Sequence, residues 1–309
     1  MTHDAAEAAT KTPSRWWTVL GAVVSVGLVA AILVQLGAGT ADALAMIARL
    51  PPGVWAALVL LYLAQPVCDF AVYRRTWNLP FAGFATLLRK NVMNEVVLGY
   101  SGQAYLYVWA RRAVGAAAHP FGAIKDASII SALLGNLLTL GLAAVSATQL
   151  QDLDLAQRLG PALWSGLIPM AISVGLLVFG RHVFSLRLGQ LVFVGAAHAL
   201  RLVVSVALTV LIWRMALPQV PPGDWLVLLA VRYLVSRIPL LPNKDLVFGN
   251  LMLLLLGAGA AVGVLQAALG LMTLFLHLMV IVLLGALDLA RGVIAPVTAA
   301  AGSPTTIER

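Results

Sequence analysis

The sequence predicts an all-α, polytopic integral membrane bundle, and three observations carry that prediction. Of 309 residues, 61% are hydrophobic and only 10% charged, with a mean hydropathy of +0.95. No soluble domain of this size has that balance. Six stretches reach the roughly 20 apolar residues needed to cross the hydrocarbon core: Trp16 to Gly37, Gly53 to Tyr73, Ala127 to Thr148, Pro161 to Gly180, Leu191 to Trp213 and Leu265 to Leu287. Two polar interruptions break the pattern, at Asn94 to Gln103 and at Pro239 to Asn250. Lipid cannot hydrogen-bond a loosened backbone, so such segments survive at membrane depth only when buried in protein or lining a wet cavity.

The first span follows Lys11 and Arg15. Its apolar core exceeds the roughly 7 to 15 residues of a secretory signal, and further spans follow, so it is expected to be an uncleaved helix. Residues 1–14 form a short disordered tail and 293–309 a second tail in this reading. Between the second and third firm spans, Arg74 to Asp126 is too polar for a clean span and too apolar for a solvated loop. Trp225 to Val264 is long enough for two crossings but is broken by Pro239, Pro242 and Asn243-Lys244-Asp245. Each interruption is a re-entrant hairpin or a pair of short helices, giving up to about eight spans.

Basic residues orient the chain. With a cytoplasmic N-terminus, Lys11, Arg15, Arg74, Arg75, Arg89, Lys90, Arg111, Arg112, Lys125, Arg181, Arg187 and Arg291 fall inside. Only Arg49, Arg158 and Arg214 flank spans on the other side. Both termini are therefore expected inside, in a plasma (inner) membrane. The net charge of +8 is scattered between spans rather than gathered in a patch, which argues against a nucleic-acid partner.

The same order of span, span, interruption, span describes residues 16–148 and 161–287. Three crossings per half place the halves, 15–150 and 151–292, in opposite orientation. Broken segments at matched positions of an inverted repeat mark the binding site in many transporters. The breaks carry similar strings, Glu95-x-Val97-x-Gly99 and Asp245-x-Val247-x-Gly249, with Asn94 and Asn243 just upstream.

The outer connections, Ala38 to Pro52, Gln149 to Gly160 and Ala216 to Asp224, are too short to fold alone. Function is therefore sought inside the membrane. Arg201 sits mid-way along the fifth span with His198 one turn earlier, and Arg232 and Arg237 precede Pro239. A membrane-centre arginine costs from about 2.5 to over 10 kcal/mol and must face protein or water. A structural arginine pairs with a carboxylate; a functional one holds an anion, for which the planar guanidinium suits phosphate. Few acids accompany the three arginines, so the surplus charge points to an anionic ligand. Glu95, among Asn91, Asn94, Ser101 and Gln103, is either a proton or cation acceptor or the partner of Arg201 or Arg237. Asp245 and Asn243 are its counterparts in the second break. Asp69, with Arg74 and Arg75 just beyond, suits an interfacial ion pair, and Asp288 pairs with Arg291 at i, i+3. Tyr100, Tyr105, Tyr107 and Trp109 suggest an aromatic belt ahead of Arg111-Arg112. A stripe of Ser128, Ser131, Gly135, Thr139 and Leu142, with Asn136 beside it, reads as a helix-packing seam. Cys68 and His277 read as core residues, and the five histidines show no metal-ligand spacing. No cofactor motif and no catalytic triad order is present.

Residues Asn91-Val92-Met93-Asn94-Glu95, Gly102-Gln103-Ala104, Arg111-Arg112, Gly115, Asp126 and Asn136 carry a resemblance to a known family. Together with the later break Ser236-Arg237-Ile238-Pro239-Leu240-Leu241-Pro242-Asn243-Lys244-Asp245, they make the chain resemble the membrane region of lysylphosphatidylglycerol synthases and the flippase-like proteins built on it. Gly102-Gln103 stands where that family has Gly-Glu, and Asn243-Lys244-Asp245 where it has a glycine pair. The resemblance covers most of the chain in layout and about 60 residues in motif. The family's soluble aminoacyltransferase domain finds no counterpart up to Arg309. The resemblance implies translocation of an anionic phospholipid or lipid-linked glycan, with Asn94, Glu95, Gln103, Arg237 and Asp245 as analogues of its site residues. Two other classes stay open: an intramembrane lipid-modifying transferase with Glu95 or Asp245 as base, and an accessory subunit of an envelope or polysaccharide complex.

Overall fold

The computed structural model describes residues 40–97, 100–114, 119–146, 171, 175, 183–237, 244, 248–249, 251–252 and 261–290. Among them every regular element is helical. Four helices are long and apolar enough to cross a membrane: α2 (Pro52–Trp77), α5 (Pro120–Val145), α6 (Leu188–Ala216) and α8 (Ala261–Ala290, apolar to Asp288). At 1.5 Å per residue a 26-residue helix runs about 39 Å, beyond the roughly 30 Å hydrocarbon core. The expected span Trp16 to Gly37, and Pro161 to Gly180 apart from Ala171 and Gly175, lie outside the described residues. So do both tails and the full count of six on which the inverted symmetry rests.

Between the spans run shorter helices: α1 (Thr40–Arg49), α3 (Gly83–Val92), α4 (Ser101–Ala113) and α7 (Pro222–Ser236). The first interruption is thus a helical hairpin. Its arms of 10 and 13 residues reach only about 15 and 20 Å, too short to cross. A single π-turn, Met93–Val97, extends α3, and Tyr100 enters α4 with φ 73. Side chains then tie the tip: Ser101 Oγ donates to the Met93 carbonyl at 2.8 Å, and the Gly102 N–H donates to Asn94 Oδ1 at 2.8 Å. A π-turn and a bulky residue in the left-handed region both mark sites where local order is sacrificed for placement.

The helix ends follow from their sequence. Pro52 opens α2, where its missing N–H is an orphan anyway, and Asn78 closes it with φ 56. Arg74 donates to the Leu79 carbonyl and lies 4.7 Å from the Phe81 ring, while Arg75 covers Phe193. α5 starts seven residues before the expected span because Pro120 initiates it, which leaves Lys125 and Asp126 inside the helix. Asp126 is fully buried, and its Oδ2 accepts from the Ser185 and Leu186 N–H groups at 2.7 Å each. It caps the turn that launches α6 and not its own helix. Asp126→Ala strands both amides, and a cost of about 2–4 kcal/mol is expected in an unfolding titration, with Asp126→Asn losing less because one acceptor survives.

α6 packs along α2 and α5, α7 against α5, α3 against α4 and α2, and α8 against α1 and α3. Apolar packing among the described residues forms two large regions and a small third one between α1 and α8 around Ala43, Ala267, Ala268 and Leu274. One large region joins Val54, Leu58, Trp213, Trp225, Leu229 and Leu269; the other joins Val72, Trp77, Leu87, Leu106, Ile124 and Val194. Gln65 and Asp69 on α2, and His198 and Arg201 on α6, fall along the chain where one region gives way to the other. Polar side chains therefore gather at mid-helix height.

Candidate functional site

Arg201 is the fourteenth of the 29 residues of α6, half-buried, with the lipid-facing Leu200 and Val204 beside it in sequence. Its Nη2 reaches Ser131 Oγ of α5 at 3.5 Å, a long contact, and its Nε is buried without a hydrogen-bond partner. Arg237 caps the C-terminus of α7. Its Nη1 donates to Asn136 Oδ1 at 3.2 Å, while Nε and Nη2 donate to Ser236 Oγ at 3.2 and 3.1 Å. The guanidinium lies flat over Gly135, where an added Cβ would come within 2.6 Å of Nη1.

Ser131 and Gly135 are one turn apart on α5, a rise of about 6 Å. The two guanidinium groups therefore sit on consecutive turns of one helix face, and their charges act on each other. The small-residue stripe expected as a packing seam is, at Ser131 and Gly135, the seat of these arginines. Among the described residues, no carboxylate lies within ion-pair distance of either. Among the described residues, the acceptors that hold them are neutral oxygens of Ser and Asn. Lys244 adds a cation at this end, donating from Nζ to the Ser236 carbonyl at 2.8 Å. Tyr100, at the tip of the first hairpin, lies within electrostatic range of Arg237.

The remaining predicted residues divide. Arg232 is five positions before Arg237, about 140° around α7. It lines a separate pocket with Thr209, Trp213, Leu58 and Gln266, not the Arg201–Arg237 face. Asn94 closes the hairpin tip through Gly102, and the buried Oε1 of Gln103 has no hydrogen-bond partner. Glu95 lies in the π-turn within electrostatic range of Tyr62. Asn243 and Asp245 lie outside the described residues.

Two acids meet partners that the sequence did not point to. Asp69 does not bond Arg74 or Arg75: its Oδ2 meets Lys90 Nζ at 2.5 Å and its Oδ1 accepts from Gln65 at 2.8 Å. Lys90 is accordingly 5% exposed, inside the bundle, and ceases to count as a cytoplasmic anchor. Asp288 meets Arg89 at 2.6 Å, joining α8 to α3, while Arg291 lies outside the described residues. The aromatic belt also divides. Tyr100 is at the hairpin tip, about 16 Å along α4 from Arg111, whereas the Tyr107 ring lies 5.9 Å from the Arg111 guanidinium. Two further contacts had no sequence signal: Cys68 Sγ to His198 Nδ1 at 3.5 Å, and Tyr62 to His277.

No protein-family model, no curated protein and no solved structure matches the chain.

Proposed function

We propose that this chain is a multi-pass plasma-membrane protein, flippase-like in layout, that holds an anionic lipid head group on the Arg201–Arg237 face. The observation that carries this reading is the pair of deep arginines, delivered by α6 and α7 onto one face of α5 with neutral acceptors around them among the described residues. Cations in a low-dielectric interior attract an anion far more strongly than the same charges in water. A phosphodiester matches two guanidinium forks one helical turn apart. Arg201 also lies beside lipid-facing positions, so a head group can reach it while the acyl chains stay in the bilayer.

The first hairpin supplies the opposite wall. Its arms stop short of crossing, and the exposed Tyr100 at its tip lies within electrostatic range of Arg237, where a head group would rest against it. In this reading both termini are cytoplasmic, and the hairpin and α7 are corresponding broken elements of two inverted halves. The resemblance to the membrane region of lysylphosphatidylglycerol synthases favours translocation.

Reconstitution in liposomes with labelled phosphatidylglycerol tests the reading. Wild-type protein is expected to move the label between leaflets, with Arg201→Ala and Arg237→Ala each slowing it about tenfold or more, the loss of one charged hydrogen-bonding partner. Rates equal to those of protein-free vesicles across a panel of anionic and glycosylated lipids would exclude translocation.

A further inference from the structure

A second set of ionisable side chains lies across the hairpin from the arginines. Tyr62 is the eleventh of 26 residues in α2 and His277 the seventeenth of 30 in α8, so both are at mid-length of membrane-crossing helices. The Tyr62 hydroxyl hydrogen-bonds His277 Nδ1 at 3.0 Å, with the two rings 5.1 Å apart. The same hydroxyl lies close to the Asn91 side chain of α3 and within electrostatic range of Glu95 in the π-turn. His277 is only 2% exposed. Three separate elements thus bring a carboxyl, a phenol and an imidazole into one neighbourhood, with the phenol hydrogen-bonded to the imidazole. Inside a membrane domain such groups are expensive, and chains of Glu, His and hydroxyl side chains are how membrane proteins take up and pass protons.

On α2 the next acid, Asp69, is bound to Lys90 of α3. On α3 Arg89 is bound to Asp288, eleven residues beyond His277 on α8. α1 packs on α8 through Ala43, Met46 and Ile47 and leaves Asp42 and Arg49 exposed. α4, packed on the π-turn, keeps Arg111 and Arg112 exposed at its far end; Gln103 and Tyr105 are nearer the tip.

We propose that Glu95, Tyr62 and His277 form a proton-binding site, and that its occupancy is coupled through the hairpin tip to anion binding beside Arg237. The coupling half rests on the anion reading above; the proton half does not. The route is short. Glu95 follows Asn94, whose side chain fastens Gly102, and Tyr100 lies within range of Arg237. Uptake of one proton from water converts the Glu95 carboxylate to a carboxylic acid and removes a negative charge from the tip. An anion at Arg237 then binds more tightly, and by linkage its binding draws a proton in.

The proton half is tested on full-length protein in phosphatidylcholine nanodiscs, without any anionic lipid. Infrared difference spectra between about pH 5.5 and about pH 8.5 are expected to show a carboxylic C=O band that Glu95→Gln abolishes and Tyr62→Phe shifts. Absence of any Glu95→Gln-sensitive band overturns the proton site. The coupling half is tested with phosphatidylglycerol, a phosphodiester that does not titrate in this range. Wild type is expected to bind it about tenfold more tightly at the lower pH, and Glu95→Gln to bind it equally at both, near the tighter value. Arg237→Ala is expected to lose binding while keeping the infrared band. Binding by wild type that is the same at both pH values overturns the coupling. Failure to bind at either pH overturns the arginine reading and the coupling with it, while the infrared band still decides the proton site.

Discussion

Lys90→Met is expected to cost about 3–5 kcal/mol, because removing one partner of a buried ion pair leaves the other charge stranded. Asp69 is 2% exposed and its carboxylate is held by Lys90 at 2.5 Å and Gln65 at 2.8 Å. Without Lys90, the carboxylate faces Cys68, His198 and apolar packing with one hydrogen bond left. Adding Asp69→Leu is expected to recover most of the loss, since a buried pair replaced as a unit is often neutral. An unfolding titration of the two single variants and the double in bicelles measures this. A Lys90→Met variant within about 1 kcal/mol of wild type would show that Asp69 is already neutral or reached by water.

Gly102→Ala is expected to open the hairpin. A Cβ at residue 102 would stand 2.1 Å from the Lys90 carbonyl oxygen and 2.8 Å from Asn94 Oδ1. The first obstacle is backbone, so α3 and α4 must separate by more than an ångström. Overpacking of this kind costs about 1–3 kcal/mol or more. It also breaks the Asn94–Gly102 bond that shapes the tip and displaces Lys90 itself. The penalties of Gly102→Ala and Lys90→Met should therefore fall short of additive. Gly141→Ala is the control: nothing lies within 4 Å of its Cβ, and it should be neutral or slightly stabilising through helix propensity. Equal melting curves for Gly102→Ala and Gly141→Ala would contradict the close approach of the two arms.

Four spanning helices were legible from hydropathy alone, because lipid imposes a length and a composition that few other environments do. Their ends were less so. α5 begins at Pro120, ahead of the expected Ala127, since Lys125 and Asp126 look like a boundary in a hydropathy reading. Folded, Lys125 bonds the Val183 carbonyl and Ser185, and Asp126 Oδ2 caps the α6 turn, so both charges find partners outside their own helix. The first interruption was visible as polar residues at membrane depth, but its form was not. A π-turn and the positive φ at Tyr100 arise from the Asn94, Ser101 and Gly102 contacts across the tip, which no periodicity encodes.

Arg201 and Arg237 stood out because a membrane-buried arginine is costly wherever it lies. Their meeting on Ser131, Gly135 and Asn136 was hidden, because those residues have the signature of any close helix pair. Lys90 was misleading for the opposite reason: next to Arg89 it resembles a cytoplasmic anchor, and only the packing of α3 on α2 turns it inward to Asp69. Tyr62 and His277 lie 215 residues apart, and nothing local joins them.

The central claim is that Arg201 and Arg237 together hold one anionic head group. Native mass spectrometry of the intact protein, titrated with phosphatidylglycerol against phosphatidylcholine, tests it most directly. The account predicts one tightly retained phosphatidylglycerol, lost with Arg201→Ala and with Arg237→Ala. It also predicts weakening by Gly135→Leu, which displaces the Arg237 guanidinium without removing its charge. Equal retention of the two lipids, or phosphatidylglycerol binding that survives both arginine substitutions, would contradict it.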